Sequence, residues 1–294
     1  MTDIMTNVSD RGHTIENSTD ITSELGIIES ASHDIDRQQR KVAAVNSGSQ
    51  YAYIQDTNAI FNIQQTITSD SFAPLRLIGD VDDVNSELTI PDALPEFTFQ
   101  NQGDDSNYLE FTGAKWGECT ISFSTADDGV LTFEFTGLAK TPTIETGTLS
   151  KIDYSIKPSR GQDIIVKIDD VEVGELQSFS ATINRNIEGR NAIGSNSDGP
   201  KHIIEGLQDI TISDFSMNIS NTDAWEDVMG GTSLSDRTNN KNLKIELPNG
   251  EELEFTGVSF GDVDPEEQTG EDGTRQVNRT GDALSMKVNN WGGV

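Results

Sequence analysis

Glu24-Leu25-Gly26-Ile27-Ile28-Glu29-Ser30-Ala31-Ser32-His33-Asp34-Ile35-Asp36-Arg37 returns 148 residues later as Glu172-Val173-Gly174-Glu175-Leu176-Gln177-Ser178-Phe179-Ser180-Ala181-Thr182-Ile183-Asn184-Arg185. The correspondence runs on through Ala44/Ala192, Ser47/Ser195 and Ser49/Ser197. A second block, Leu109-Glu110-Phe111-Thr112-Gly113-Ala114-Lys115-Trp116-Gly117-Glu118, returns at an offset of 144 as Leu253-Glu254-Phe255-Thr256-Gly257-Val258-Ser259-Phe260-Gly261-Asp262. It continues through Asp128-Gly129/Asp272-Gly273 and Thr136-Gly137/Thr280-Gly281. An offset near half of 294 residues reads as two tandem copies of one fold.

Within each half the apolar residues alternate with a period of two. Ile164, Val166 and Ile168 do so, and so do Leu131-Thr132-Phe133-Glu134-Phe135, Ile210-Thr211-Ile212-Ser213 and Leu243-Lys244-Ile245-Glu246-Leu247. Successive side chains on a strand point to opposite faces, so this pattern predicts half-buried antiparallel strands. Asn249-Gly250 predicts a tight hairpin, and Asp128-Gly129 and Asp272-Gly273 predict turns at matching places. One short α-helix is expected in each half. Ser69 or Asp70 would cap Phe72, Leu75 and Ile78, closed by Gly79, with Pro74 in the first turn. Thr222 or Asp223 would cap Trp225, Val228 and Met229, closed by Gly230-Gly231.

The expected fold is all-β and mainly antiparallel: a duplicated β-sandwich or barrel with one short helix per copy. Residues 1–10 read as a flexible N-terminal arm, 11–147 as the first β domain and 160–294 as the second. Residues 148–159 read as a linker that holds the strand Leu149–Ile156.

The charge is strongly one-sided, with 50 acidic against 20 basic residues and a formal net charge of −30. The carboxylates are spread over both halves as singles and pairs, so they predict an acidic surface rather than an acidic tail. A salt-rich cytosol explains such a surface, because at about 1 M salt charges are screened within about 3 Å. The reading is therefore of a halophilic source. A lining that repels nucleic acid is the compatible functional account. Sparse basic residues without interleaved aromatics speak against tight nucleic-acid binding. No apolar run is long enough for a membrane helix, and no membrane partner is expected.

Catalytic patterns are missing. His13, His33 and His202 have no second ligand at metal spacing, and no phosphate-binding, dinucleotide or nucleophile-elbow motif occurs. Acidic runs at Asp80–Asp83 and Asp262–Glu267 lack the glycine and terminal glutamate of a calcium loop. Cys119, the single cysteine, reads as a small buried strand residue. No catalytic residue, metal site or cofactor is expected, and no enzyme. The candidate functional residues are instead arginines. Arg37 and Arg185 recur at one place in both halves, each expected to end a strand and enter a polar segment that also carries Arg40 or Arg190. One reading pairs each arginine with a strand-end carboxylate. The other makes Arg37, Arg40, Arg185 and Arg190 contacts between subunits, where arginine is enriched.

The second half carries a family resemblance. Gln162-Asp163-Ile164-Ile165-Val166-Lys167-Ile168, then Gly174 to Asn186, Ala192-Ile193-Gly194-Ser195 and Ile203-Ile204-Glu205-Gly206 resemble the tail tube proteins of long-tailed phages. Leu247-Pro248-Asn249-Gly250-Glu251-Glu252-Leu253-Glu254-Phe255-Thr256-Gly257-Val258 is similar to the late strands of that family. The resemblance implies a structural virion protein, made in the host cytoplasm, whose sheets join side by side into a tube for viral DNA. Six folds per ring are usual there, so two per chain imply homotrimeric rings that stack. The segments after Arg37 and Arg185 would be the stacking loops. The implied partners are other copies of the chain, the tape measure, terminator and distal tail proteins, and DNA in transit. A minor tail component of related fold and a halophilic cell-surface binding module are the alternatives.

Overall fold

The alternating runs form strands, and polar stretches between them extend the strands further than the apolar pattern alone. In the computed structural model the described residues are 13–17, 27–43, 50–66, 72–82, 84–102, 106–124, 131–147, 164–190, 200–219, 240–261 and 275–291. The first half holds β1 (His13–Asn17), β2 (Ile27–Ala43), β3 (Gln50–Thr66), β4 (Asp80–Asp82), β5 (Glu87–Thr89), β6 (Phe97–Gln102), β7 (Asn107–Ser124), β8 (Leu131–Ala139) and β9 (Thr141–Thr146). The second half holds β10 (Ile165–Ile168), β11 (Val171–Asn184), β12 (Glu188–Arg190), β13 (His202–Ile204), β14 (Asp209–Ile219), β15 (Lys241–Glu246), β16 (Glu252–Phe260), β17 (Arg275–Ala283) and β18 (Ser285–Asn289). The fold is nearly all β, and every described pairing is antiparallel.

One order of pairing occurs in both halves. In the first, β1 pairs β6, β6 pairs β7, β7 pairs β8 and β9, β8 pairs β3, and β3 pairs β2. In the second, β10 pairs β15, β15 pairs β16, β16 pairs β17 and β18, β17 pairs β14, and β14 pairs β11. Registers agree as well. Trp116 lies opposite Gly137, and Phe260 opposite Gly281; Ala59 faces Ala139, and Ile210 faces Ala283.

The halves join where β7 pairs β11, from Ser124↔Ser178 to Glu118↔Asn184. This creates one long sheet in the order β2-β3-β8-β7-β11-β14-β17-β16. Two shorter sheets pack against it. One is β1-β6-β7-β9, and the other is built on β10, β15, β16 and β18, extended by β5 and β4. β7 and β16 each pass from a short sheet into the long one. They bend at Gly113 and Gly257, whose φ values are +61° and +64°. At these bends Lys140 N–H donates to Thr112 O (3.2 Å), and Leu284 N–H donates to Thr256 O (3.0 Å).

The core lies between the layers. Trp116 sits edge-on to Phe99 and Phe135, with ring centroids 6.1 and 5.6 Å away, and Phe179 of the long sheet meets Phe255 of a short one at 5.8 Å. Buried apolar residues of both halves form one cluster.

The expected α-helix at Phe72–Ile78 is a short 3-10 turn over Ala73–Leu77. Five residues with Pro74 in the first turn do not sustain an α-helical ladder. Ser69 and Asp70, the expected caps, lie outside the described residues; the Phe72 amide donates to Glu251 Oε2 at 2.7 Å. The Asn249-Gly250 hairpin forms with a three-residue loop, in which Gly250 N–H donates to Leu247 O and Gly250 takes φ +88°. A tighter hairpin, β10–β11, turns on Asp169 and Asp170, both at positive φ. The 1–10 arm, the Leu149–Ile156 strand, the second helix and both Asp-Gly turns lie outside the described residues.

Gly257 is tightly constrained. A Cβ there would come within 2.6 Å of Leu284 Cδ1, whereas one on Gly250 would meet nothing within 4 Å. Gly250→Ala is expected to cost about 1 kcal/mol through backbone conformation alone. Gly257→Ala is expected to cost somewhat more, about 2 kcal/mol, because the exposed Leu284 side chain must also turn aside. Chemical denaturation of the two variants against the parent measures the difference.

Candidate assembly surface

From β8 through β7, β11, β14 and β17 to β16 the long sheet has one face in the core and one face free of it. On the free face residues of neighbouring strands lie directly opposite one another, in the row Glu134, Thr120, Thr182, Thr211, Asp282, Ser259. All six are partly or fully exposed. The next row includes Thr132, Ser122 and Ser180. Hydroxyls bond across strands, Thr120 to Thr182 at 3.0 Å and Ser122 to Thr132 at 2.7 Å. Asn184 Nδ2 donates to Glu118 Oε2 at 2.7 Å. These rows carry hydroxyls, amides and carboxylates, and no lysine or arginine. Such a face is wettable, and it repels phosphate where it carries charge.

The sheet ends at β2, which pairs only with β3 among the described residues. A free edge presents a row of unpaired N–H and C=O groups, an invitation to another strand. The expected strand end at Arg37 is not there. β2 continues to Ala43, with Arg37 opposite Thr57 and Arg40 opposite Tyr53. Backbone pairing with β3 carries this ribbon through residues whose polarity shows no apolar alternation, which is why the sequence pattern stops short of it. Arg37 and Arg40 therefore sit on the outer part of a long hairpin.

Arg185 does end its strand, and it is buried at 6% exposure. Its guanidinium donates to the carbonyls of Pro91 (2.5 Å) and Asp92 (2.7 Å) and lies 3.5 Å from Glu205. Glu205 also accepts from Lys115 Nζ (2.5 Å) and from the Leu94 amide (2.8 Å). The group ties residues 91–94 and β7 of the first half to the segment before β14. Burial works to raise the Glu205 pKa, but the bonds from Lys115 and the Leu94 amide, with the charges of Lys115 and Arg185, hold it below the ordinary value of 4.5. Arg190 is exposed on the β12–β13 hairpin, paired with Glu188 at 3.2 Å. Sequence reasoning found Arg185 by its repetition. It missed Lys115 and Glu205, which carry no local signature.

Cys119 is buried, and burial pushes its thiol pKa well above the ordinary range. Among the described residues no group of three potential ligands could hold a metal ion, and no helix is long and apolar enough to cross a membrane.

The model of the phage tail tube protein family matches residues 43–283, most of the chain, from the end of β2 to the end of β17. The chain belongs to the phage tail tube protein family. A search of curated proteins gave no match. As a tail tube protein the chain is a structural component of a virion tail, where it assembles with its own kind and with other tail proteins.

Glu205 gives a prediction with a pH window. Its folded pKa is depressed, so its contribution to stability is complete above its unfolded value and is lost as pH falls through the lower folded value. At pH 7 Glu205→Gln is expected to destabilise by about 3 kcal/mol, since Lys115 and Arg185 are left buried without their partner. The deficit should shrink below about pH 4.5 and close as the parent's carboxylate protonates. Urea titrations of both proteins from pH 7 to pH 3 test it.

Proposed function

We propose that this is the major tail tube protein of a tailed virus, with two tandem copies of the tube fold in each chain and three chains in each ring. The observation that carries the reading is the β7–β11 junction. A strand of the first half lies beside β11, and β11 is the sequence and pairing counterpart of β2. The same junction between chains would place β2 of one chain beside residues 262–268 of the next, which follow β16 and match Glu118–Ser124 of β7 in sequence. Those residues lie outside the described ones; among the described residues the outer edge of β2 is open. Edge strands that would be an aggregation hazard in a monomer become the interface of a closed ring.

Three chains of eight strands close a barrel of about 24 strands. With strands about 4.8 Å apart and tilted about 40°, the barrel is roughly 50 Å across between backbones. The free face of the long sheet then lines the lumen. DNA passing along it meets hydroxyls that bind weakly and carboxylates that repel, so it slides without sticking. The net charge of −30 suits a virus of a salt-rich, halophilic archaeal host, in which self-repulsion between rings is screened. The outer β2–β3 hairpin with Arg37 and Arg40, and the segment with Arg190, are the elements that reach the neighbouring ring or chain. Tape measure, terminator and distal tail proteins are the proposed partners at the lumen and the two ends.

Arg185 N–H donates to Gly117 O at 2.7 Å, the last bond of the internal junction. Arg37 and Gly261 are the matching residues. Arg37→Pro removes one edge donor while leaving β2 a tolerable edge strand. In high salt the parent protein is expected to form hollow tubes by electron microscopy, and Arg37→Pro to remain mostly unassembled, with an unchanged thermal transition. Tubes formed equally by the proline variant would contradict the junction. A parent protein that stays monomeric at high concentration would contradict the tube.

A further inference from the structure

We infer that Gly261 is the seat on which the neighbouring chain's β2–β3 ribbon bends off the sheet, so that ring closure turns a straight hairpin into a bent one. The inference rests on the ring reading above. Its pattern is the internal junction. There β11 follows β7 as far as the bond from Arg185 N–H to Gly117 O, at 2.7 Å, and then leaves it. Asn186 takes φ +48°, with its amide donating to Asn184 Oδ1 at 2.6 Å. Ile187 lies over Gly117, where a Cβ would stand 2.2 Å from Ile187 Cγ1. The chain continues into β12, which pairs β13 in a sheet of its own. The departure is forced, because β6 takes the same edge of β7 from Ala114 towards its start. Neighbouring strands lie about 4.8 Å apart, so one stretch of edge seats one strand.

β16 repeats the arrangement. β15 takes its edge up to Val258, the match of Ala114. A neighbouring β2 whose Arg37 reached Gly261 would therefore meet β15 if it ran on past Ser259. In the single chain β2 does run on, paired with β3 from Gln38 to Ala43. That ladder has a bulge between Gln38 and Gln39, the residues that match Asn186 and Ile187. A bulge already bends and twists a ribbon, so the further bend falls there. Gly261 is open to receive it. It is exposed, and among the described residues a Cβ on it would meet nothing nearer than Thr280 at 3.6 Å, whereas Gly117 is buried under Ile187. One glycine is thus covered by its own chain, and its counterpart is bare. The occupant that fits is a second copy of this chain, because its Arg37–Gln39 matches the Arg185–Ile187 that covers Gly117.

Gly261→Val and Gly261→Ala, studied beside the parent protein in high salt, test the seat. Gly261 has open space over it and is not among the glycines at positive φ, so both variants should keep the parent's thermal transition. Gly261→Val should raise the concentration needed for tubes by about tenfold or more, because its side chain fills the seat, and Gly261→Ala by less. A distance measurement reads the bend directly. Spin labels on Arg40→Cys and Glu134→Cys report the angle between the outer ribbon and the sheet, and the buried Cys119 stays unlabelled. With labelled chains diluted into unlabelled parent, the separation should change between the dissociated chain and the tube. Equal assembly by Gly261→Val at an unchanged melting temperature would overturn the inference, and so would a label separation that assembly leaves as it was. If Gly261→Val melts early, Gly261→Ala and the labels decide. A parent protein that forms no tubes would overturn the ring reading as well, an outcome distinct from tubes whose ribbon stays straight.

Discussion

The backbone pairing of β7 with β11 is the contact on which the rest of the molecule depends. It fuses two four-stranded units into one sheet, and it does so with N–H and C=O groups that every residue carries. Side-chain identity matters little to such a ladder, so two halves that share few residues can still join in register. What the ladder needs is length, flatness and an unobstructed edge. Glu118 to Ser124 and Ser178 to Asn184 provide these by putting apolar residues in the core and small polar ones outside. The Arg185, Glu205 and Lys115 group begins where the ladder stops and fixes its end.

The halves keep their backbone plan and exchange side chains on it. Gly113 and Gly257 bend equivalent strands at the same point, and no residue with a Cβ fits either bend without strain. Trp116 meets Phe135 in the first half. At the matching places of the second, Phe260 lies under the Arg279 guanidinium, 5.3 Å from its centre. Burial lowers the pKa of that arginine to about 10, which still leaves it charged at neutral pH. An aromatic pair in one half is a cation over a ring in the other, with the surrounding registers unchanged.

Much of this plan was legible in the sequence because strand burial leaves a period of two. Leu131–Phe135, Ile210–Ser213 and Leu243–Glu246 lie in strands where alternation predicts them. The repeated blocks fall on β2 and β11 and on β7 and β16. Three features were not legible. The outer part of β2 is held by backbone pairing with β3 rather than by burial, so it has no apolar pattern. The Asp169-Asp170 turn has no glycine to announce it; Lys241, Lys244 and the Asn242 amide hold its carboxylates, and the Asp169 amide donates to Asn242 O. The crossing of β5 onto β18 joins residues about 200 positions apart, and nothing local in Glu87–Thr89 encodes the destination. The assembly surface divides in the same way. Repetition singled out Arg37 and Arg185, but not that one would lie on a free edge and the other be enclosed by its own chain.

The most direct test of the account is a reconstruction of the assembled tube at a resolution that separates strands. Three chains per ring, with β2 of each chain hydrogen-bonded to residues 262–268 of its neighbour in the register of β11 with β7, is the predicted result. Six chains per ring, or a segment other than 262–268 beside β2, would contradict it.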